Sequence, residues 1–402
     1  MKNYTIKSVG WIIAALLILG AILSTAAGII SQDWPQFRYN PQHTGNSSSH
    51  APDTANLVWD SGAIGAQEGS SVSVAGGRVF VNCVSNLTCL DQETGKLLWS
   101  TAFNPLEDIC QAFGFSPAYH RGRVFISSQD TLCLNASDGK VLWKFTPPTK
   151  RGALDGGPAV IDGFAFVSDW DGHHYYCLDE DTGEELWNFT VIGDAQSVPA
   201  IDRGKVVFGG WEWGIGGKIY CVDLKDGSEL WNLTTKNSPC GSAALWQDVA
   251  YVTTYNFEGD GEVMAVSLVD GHLLWEKTIK STDCTPALAE GLLYVCGGTD
   301  GFSDKITYCF NATNGEILWN TTKEDGIGDW RCSPAYADGL LFVGKTESKN
   351  STYNTLCALN ASTGDIVWSY PAGGSAPVVA DGMVFSIGGG RVYAFGPGGN
   401  AA

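Results

Sequence analysis

Positive charge is the first scarcity in this chain of 402 residues: 24 Lys and Arg stand against 43 Asp and Glu, a formal net charge of −19. Such a surface repels phosphate backbones, so nucleic acid is excluded as a partner. Helical periodicity is the second: no stretch after residue 30 repeats its apolar residues as a long amphipathic helix would. Catalytic signatures are the third. The chain has no Gly-x-Ser-x-Gly and no His-Glu-x-x-His, and none of its 12 cysteines is adjacent to another. What the chain has in plenty is 50 glycines together with 15 Trp, 14 Tyr and 17 Phe. Glycine mixed with aromatics, without a strict triplet, implies many short strands and tight turns rather than collagen or low complexity.

The N-terminus reads as an export element. Lys2 and Lys7 precede Trp11–Leu23, a run without polar side chains, followed by the small residues Ser24 to Gly28. This is the pattern of a signal peptide cut near Ala27. If Ile29 and Ile30 extend the run, it reaches the roughly 20 residues of an uncleaved membrane anchor. Both alternatives place the remainder outside the cytoplasm. Nine Asn-x-Ser/Thr triplets agree with export, at Asn46, Asn86, Asn135, Asn188, Asn232, Asn311, Asn320, Asn350 and Asn360. Repeat duplication is the competing explanation, since Asn135, Asn311 and Asn360 share one repeat position and Asn188, Asn232 and Asn320 another.

Tryptophans preceded by an aliphatic residue fall at Trp59, Trp99, Trp143, Trp187, Trp231, Trp275, Trp319 and Trp368, mostly 44 residues apart. A repeat of this length without helices predicts an all-β propeller of four-stranded antiparallel blades. In the clearest repeat, strands are predicted from Pro117, over Val124–Ser128, Thr131–Asn135 and Lys140–Phe145, with turns at Arg121-Gly122 and Asp138-Gly139. After Trp368 only three strands remain, and Asn56–Trp59 supplies the missing outer strand, so eight blades close into a monomeric ring. The division is 1–30 leader or anchor, 31–55 a segment packing on the propeller, 56–396 the propeller and 397–402 a tail.

Seven segments share a small residue, Gly six positions later and Trp ten positions later: Cys89/Gly95/Trp99, Cys133/Gly139/Trp143, Cys177/Gly183/Trp187, Cys221/Gly227/Trp231, Ala265/Gly271/Trp275, Cys309/Gly315/Trp319 and Ala358/Gly364/Trp368. This resembles the tryptophan-docking motif of eight-bladed pyrroloquinoline quinone (PQQ)-like propellers. The opening Asp33-Trp34-Pro35-Gln36-Phe37-Arg38-Tyr39-Asn40-Pro41-Gln42-His43-Thr44-Gly45 looks like the leader of small exported members of that superfamily. Independently of the family, an indole on an outer strand needs a flat partner on the next blade, which a small side chain and a glycine turn provide. The eight tryptophans are accordingly assigned to blade packing, and Cys89, Cys133, Cys177, Cys221 and Cys309 to small apolar filler.

Seven cysteines remain, at 83, 110, 240, 284, 296, 332 and 357. Cys240, Cys284 and Cys332 are read as sharing one repeat address just before three consecutive inner strands. Long loops at Gly210–Gly217, Asn256–Glu262, Gly297–Lys305 and Thr346–Asn354 emerge on the same face. The predicted interaction face therefore gathers Trp170, Trp211, Trp213, Cys240, Asp283, Cys284, Trp330, Arg331 and Cys332. Packing, a disulfide and a soft-metal site all remain open for the cysteines. Asp169-x-Asp171-Gly172 before His173 and His174 is read as a surface turn, since the later acidic ligand of a calcium loop is missing. Glu258, Asp260 and Glu262 are read as a solvated turn.

Two classes of function follow from the resemblance. One is an exported, cell-envelope scaffold binding a protein or polysaccharide through one propeller face, with no cofactor, the tryptophans outside the docking register serving as exposed platforms. The alternative is a dehydrogenase using PQQ and calcium in the central channel. Family members with that activity are much longer and place an adjacent Cys-Cys pair over the cofactor, which this chain lacks.

Overall fold

The computed structural model describes residues 32–103, 116–149, 157–257, 259–298, 304–346 and 353–397. Middle strands such as Lys205–Glu212 and Gly216–Asp223 are apolar on both faces because a neighbouring sheet covers each face, so they read as continuous buried runs. Outermost strands such as Glu185–Thr190 are exposed except at Trp187 and, in part, Phe189. Eight antiparallel sheets result, spanning 73–102, 118–145, 159–190, 200–235, 244–280, 287–320, 335–370 and 375–395. The eighth takes its outer strand from Leu57–Asp60, which pairs antiparallel with Arg391–Phe395 and closes the ring. The seventh gains a fifth, parallel strand, Asn46–Ser47, at its inner edge. The fold is the eight-bladed, four-stranded propeller with N-terminal closure that the repeat predicts. The leader or anchor at 1–30 lies outside the described residues, among which no helix is long and apolar enough to cross a membrane.

The indoles mortar each blade to the next. Trp187 Nε1 donates to the Leu224 carbonyl 37 residues on, at 3.1 Å, and its ring lies on Gly227, where an added Cβ would come within 2.6 Å of the indole. Gly227 has φ of +70° and donates its N–H to the Asp223 carbonyl at 3.0 Å, so the turn needs glycine for both backbone and clearance. Trp59, Trp99, Trp143, Trp231, Trp275 and Trp319 donate to Gln92, Ala136, Glu180, Leu268, Ala312 and Ala361 in the same way. Trp368 differs: it donates back to the Pro52 carbonyl, 3.0 Å away, and so locks the N-terminal segment to the last complete repeat.

The asparagines at 135, 311 and 360 occupy the start of these turns. Each side-chain Oδ1 accepts the N–H two residues on, at 2.8 to 2.9 Å, the role Asp179 plays in another blade. Cys89, Cys133, Cys177, Cys221 and Cys309 are fully buried, and burial pushes their thiols up to about 12. Hydroxyls at the entry to the inner strands clasp neighbouring blades: the backbone N–H groups of Ser71, Val198 and Thr285 donate to the Ser116, Ser242 and Ser333 hydroxyls at 2.8 to 3.0 Å.

Candidate functional site: two unlike mouths of one channel

The leader from Trp34 to Ser49 circles one mouth and touches every blade in turn. At one repeat position the inner strands present a free backbone donor, and the leader supplies the acceptors. Trp34 forms a two-way bridge with Val74, at 2.8 Å each way; Pro35, Pro41, Gln42, Thr44 and Gly45 carbonyls accept from Tyr119, Ile201, Leu245, Leu288 and Tyr336 at 2.6 to 2.8 Å. The Gln36 side chain accepts from Val160, and Ser49 Oγ from Gly382 in the eighth blade.

Two basic side chains of the leader turn inward. Arg38 is fully buried and donates to the carbonyls of Ser333, Pro286 and Pro334, with no carboxylate as partner; burial lowers its pKa to about 10. Gly45 leaves the space its guanidinium occupies. His43 is also fully buried, with Nδ1 donating to the Ala243 carbonyl at 3.2 Å, and desolvation holds its pKa down at about 3. Phe37 packs edge-on against the His43 ring, 5.3 Å between centroids.

The opposite mouth opens four residues before each inner strand. Gln196, Cys240, Asp283 and Arg331 hold equivalent positions in four consecutive blades and line a channel cavity of about 60 Å³ whose wall includes Phe37. That volume holds a few waters. Asp283 is half-buried with its Oδ1 enclosed and without a hydrogen-bond partner, and desolvation raises its pKa to about 7 although Arg331, Cys240 and Gln196 favour the charged form. Asp329 stands behind Arg331, accepting from Thr346 and Tyr353 hydroxyls at 3.1 and 3.2 Å, with its pKa also raised by burial.

Several site expectations change in three dimensions. Cys240 sits one residue earlier in the repeat than Cys284 and Cys332, so it faces the channel beside Asp283. Cys284 and Cys332 point into the wall with Cys296, where Cys284 Sγ accepts from Cys296 N–H at 3.4 Å and Cys332 Sγ from Gly344 N–H at 3.1 Å. All eleven described cysteines are buried and none is joined to another in a disulfide, and no metal-ligand group of three or more His, Cys, Asp or Glu occurs among the described residues. Cys110 lies outside them.

The aromatic platform is also redistributed. Trp211 is buried at 4% exposure, its Nε1 donating to Gln196 at 2.9 Å, because the 210–217 segment is an extended hairpin rather than a loop. Trp170 packs edge-on against it at 5.7 Å and is half-buried, as is Trp330 beneath Arg331. Only Trp213 of the four stands out, at 68% exposure. Glu262 is buried rather than solvated, accepting from Asn237 Nδ2 at 2.7 and 2.8 Å; Asp260 pairs with Lys280, and Glu258 lies outside the described residues. The 169–173 segment is a tight turn in which Asp169 accepts from Thr149 and Gly172. Sequence reasoning missed Phe257, Tyr255, Gln196, Arg38 and His43. Gln196 was legible as the repeat equivalent of Asp283; Phe257 carries no such signal, because the equivalent loops of the other blades differ from its own in length and composition.

A ring of eight four-stranded blades docked by repeated Gly and Trp places the chain in the class of PQQ-like propeller proteins. The family model described as outer membrane protein assembly factor BamB matches residues 45–144, 127–329 and 303–397, and the chain belongs to that family. The BamB structure from Moraxella catarrhalis superposes with a TM-score of 0.63 at 14% identity, covering 85% of this chain and 99% of that one. The quinohemoprotein alcohol dehydrogenase of Comamonas testosteroni gives 0.73 at 14% identity, covering 95% and 83%. Among curated sequences, the quinone alcohol dehydrogenase subunit of Gluconobacter oxydans is 26% identical over 210 residues, 44% of this chain and 27% of that protein. The chain spans about a quarter or less of the length of the first curated relatives it matches.

The residues of the described channel do not fit PQQ. A fused tricyclic quinone needs a pocket of roughly 300 Å³ or more, whereas the cavity beside Asp283 and Arg331 is about 60 Å³ and is floored by Phe37 of the leader.

Proposed function

We propose that this protein is an exported, envelope-associated scaffold that binds its partner through the mouth carrying Asp283, Arg331 and Trp213. One observation carries the reading. The leader satisfies the inner-strand donors around the whole of one mouth, while the opposite mouth carries the projecting hairpin and the exposed indole. Export is supported by the apolar segment after Lys7 and by Asn188, Asn232 and Asn320, which stand exposed on outer strands one residue after a docking tryptophan. Those three are proposed as the glycan-bearing sites. Asn46 and Asn86 are half-buried; Asn135, Asn311 and Asn360 serve their turns; Asn350 lies outside the described residues. The partner class is an envelope protein, in keeping with the family description, or an envelope polysaccharide.

Photo-crosslinkers placed at Ile215 on the open mouth and at Gln247 on the sealed side test this in the envelope of producing cells. Adducts from position 215 and none from 247 are expected. Adducts from 247 alone, or none from 215, overturn the assignment of the face.

A further inference from the structure

A groove of about 500 Å³ lies on the rim of the open mouth, between the hairpin tip at 213–216 and the segment 255–257. Its walls are aromatic. Trp213 packs on Phe257 with ring centroids 3.8 Å apart, Phe257 meets Tyr255 edge-on at 4.9 Å, and Tyr255 continues to Trp330 at 5.4 Å. Its floor is polar, formed by the connector Lys236–Ser238, where Ser238 exchanges backbone hydrogen bonds with Tyr255 at 3.0 and 2.8 Å.

The polar groups are set in place. Glu262 is buried, accepts both from Asn237 Nδ2 and from Thr254, and thereby fixes the Asn237 carboxamide at the groove. Asn256 is tied by its N–H to Ser281 Oγ at 2.6 Å and by Nδ2 to the Asp260 carbonyl at 3.1 Å. Lys236 lies 3.7 Å from Glu262, so the groove is close to electroneutral within a chain of net charge −19.

Resting on the proposed open-mouth reading, we infer that this groove binds a neutral oligosaccharide. A pyranose presents C–H groups on one face and hydroxyls around its edge, and it needs a flat apolar surface beside fixed donors and acceptors. Trp213 on Phe257 offers the surface, and Asn237, Asn256 and Lys236 offer the polar edge. The volume falls within the roughly 300–1,000 Å³ of small-ligand sites. An apolar peptide would match the aromatic wall but not the polar floor formed by Lys236–Ser238. An anionic glycan would meet the acidic surface around the groove.

The test is binding of the purified exported part to an array of neutral hexose and N-acetylhexosamine oligosaccharides, with sialylated and uronate-bearing oligosaccharides as the charged arm. Affinities for any hits are then measured by Trp fluorescence. Binding in the neutral arm is expected, weakened at least tenfold by Trp213→Ala and by Phe257→Ala and largely kept by Trp213→Tyr. Because Trp213 is exposed, Trp213→Ala leaves the folded chain available for measurement, checked by its circular dichroism. No binding in the neutral arm, a preference for the charged arm, or undiminished binding by Trp213→Ala overturns the inference. If the array is empty while crosslinks from Ile215 to an envelope protein persist, the saccharide assignment falls and the open-mouth reading stands.

Discussion

The two mouths of the channel are built from the same repeats and end in opposite chemistry. At the sealed mouth Trp34 is 1% exposed, and Arg38 and His43 are wholly inside. At the open mouth Trp213 is 68% exposed and an acid, Asp283, is desolvated. The difference arises because seven inner strands offer the same backbone N–H at the sealed end, and the turns of the leader present six backbone carbonyls and the Gln36 side chain that satisfy them in sequence. Among the described residues no such ring of equivalent donors faces the other mouth, where the connecting segments differ in length and composition. Repetition therefore made a seal at one end, and divergence made a surface at the other.

Substitution of the two tryptophans sharpens this contrast most. Trp34→Ala removes a buried indole and is expected to lower stability by about 3–5 kcal/mol, whereas Trp213→Ala should change it by less than about 1 kcal/mol. Urea unfolding of both variants measures the gap; equal losses would mean that the leader is not part of the folded core.

The next effect is Asp283→Asn. Burial raises the folded pKa of Asp283 to about 7, so between the unfolded value near 3.8 and pH 7 the folded chain holds a proton that the unfolded chain has lost. The group's stabilisation is complete below the unfolded pKa and declines as pH rises toward 7. The variant, neutral at every pH, should match the wild type near pH 4 and exceed it by about 3–4 kcal/mol at pH 7. A constant difference across that range would show that Asp283 is not desolvated.

His43 acts in the opposite direction and more weakly. Its folded pKa, held down to about 3 by burial, lies below the ordinary 6.5, so unfolding takes up a proton on acidification. Stability linked to His43 is intact above pH 6.5 and falls by about 2 kcal/mol by pH 5. Replacement by Gln should remove that component of the acid slope in thermal melts between pH 7 and pH 5. The smallest expected effect is that of Asn232→Gln, which should remove one glycan-sized increment of mass from the native protein while moving the melting temperature little.

Much of this was legible in the chain because it rests on repetition. The Gly and Trp spacing specifies the blades, since each Gly must admit the indole of the preceding blade, and the count of strands after Trp368 specifies the closure by Leu57–Asp60. The site was legible only in part. Trp211 lies on a strand and Trp213 two residues on at the hairpin tip, and the sequence pattern cannot tell that the first is turned under the Gln196 carboxamide and the second left outside. Likewise Cys240 matched Cys284 and Cys332 by distance to Ser or Pro, but strand register aligns it with Asp283 and Arg331.

By itself, the sequence determined the number of blades, their mortar and the ring's closure, because these depend on local spacing repeated eight times. The tertiary structure alone decided which mouth is shut, which indole meets solvent and which acid loses its water. Those outcomes depend on segments far apart in the chain, Arg38 against Pro334 or Trp213 against Phe257, meeting only once the ring has closed.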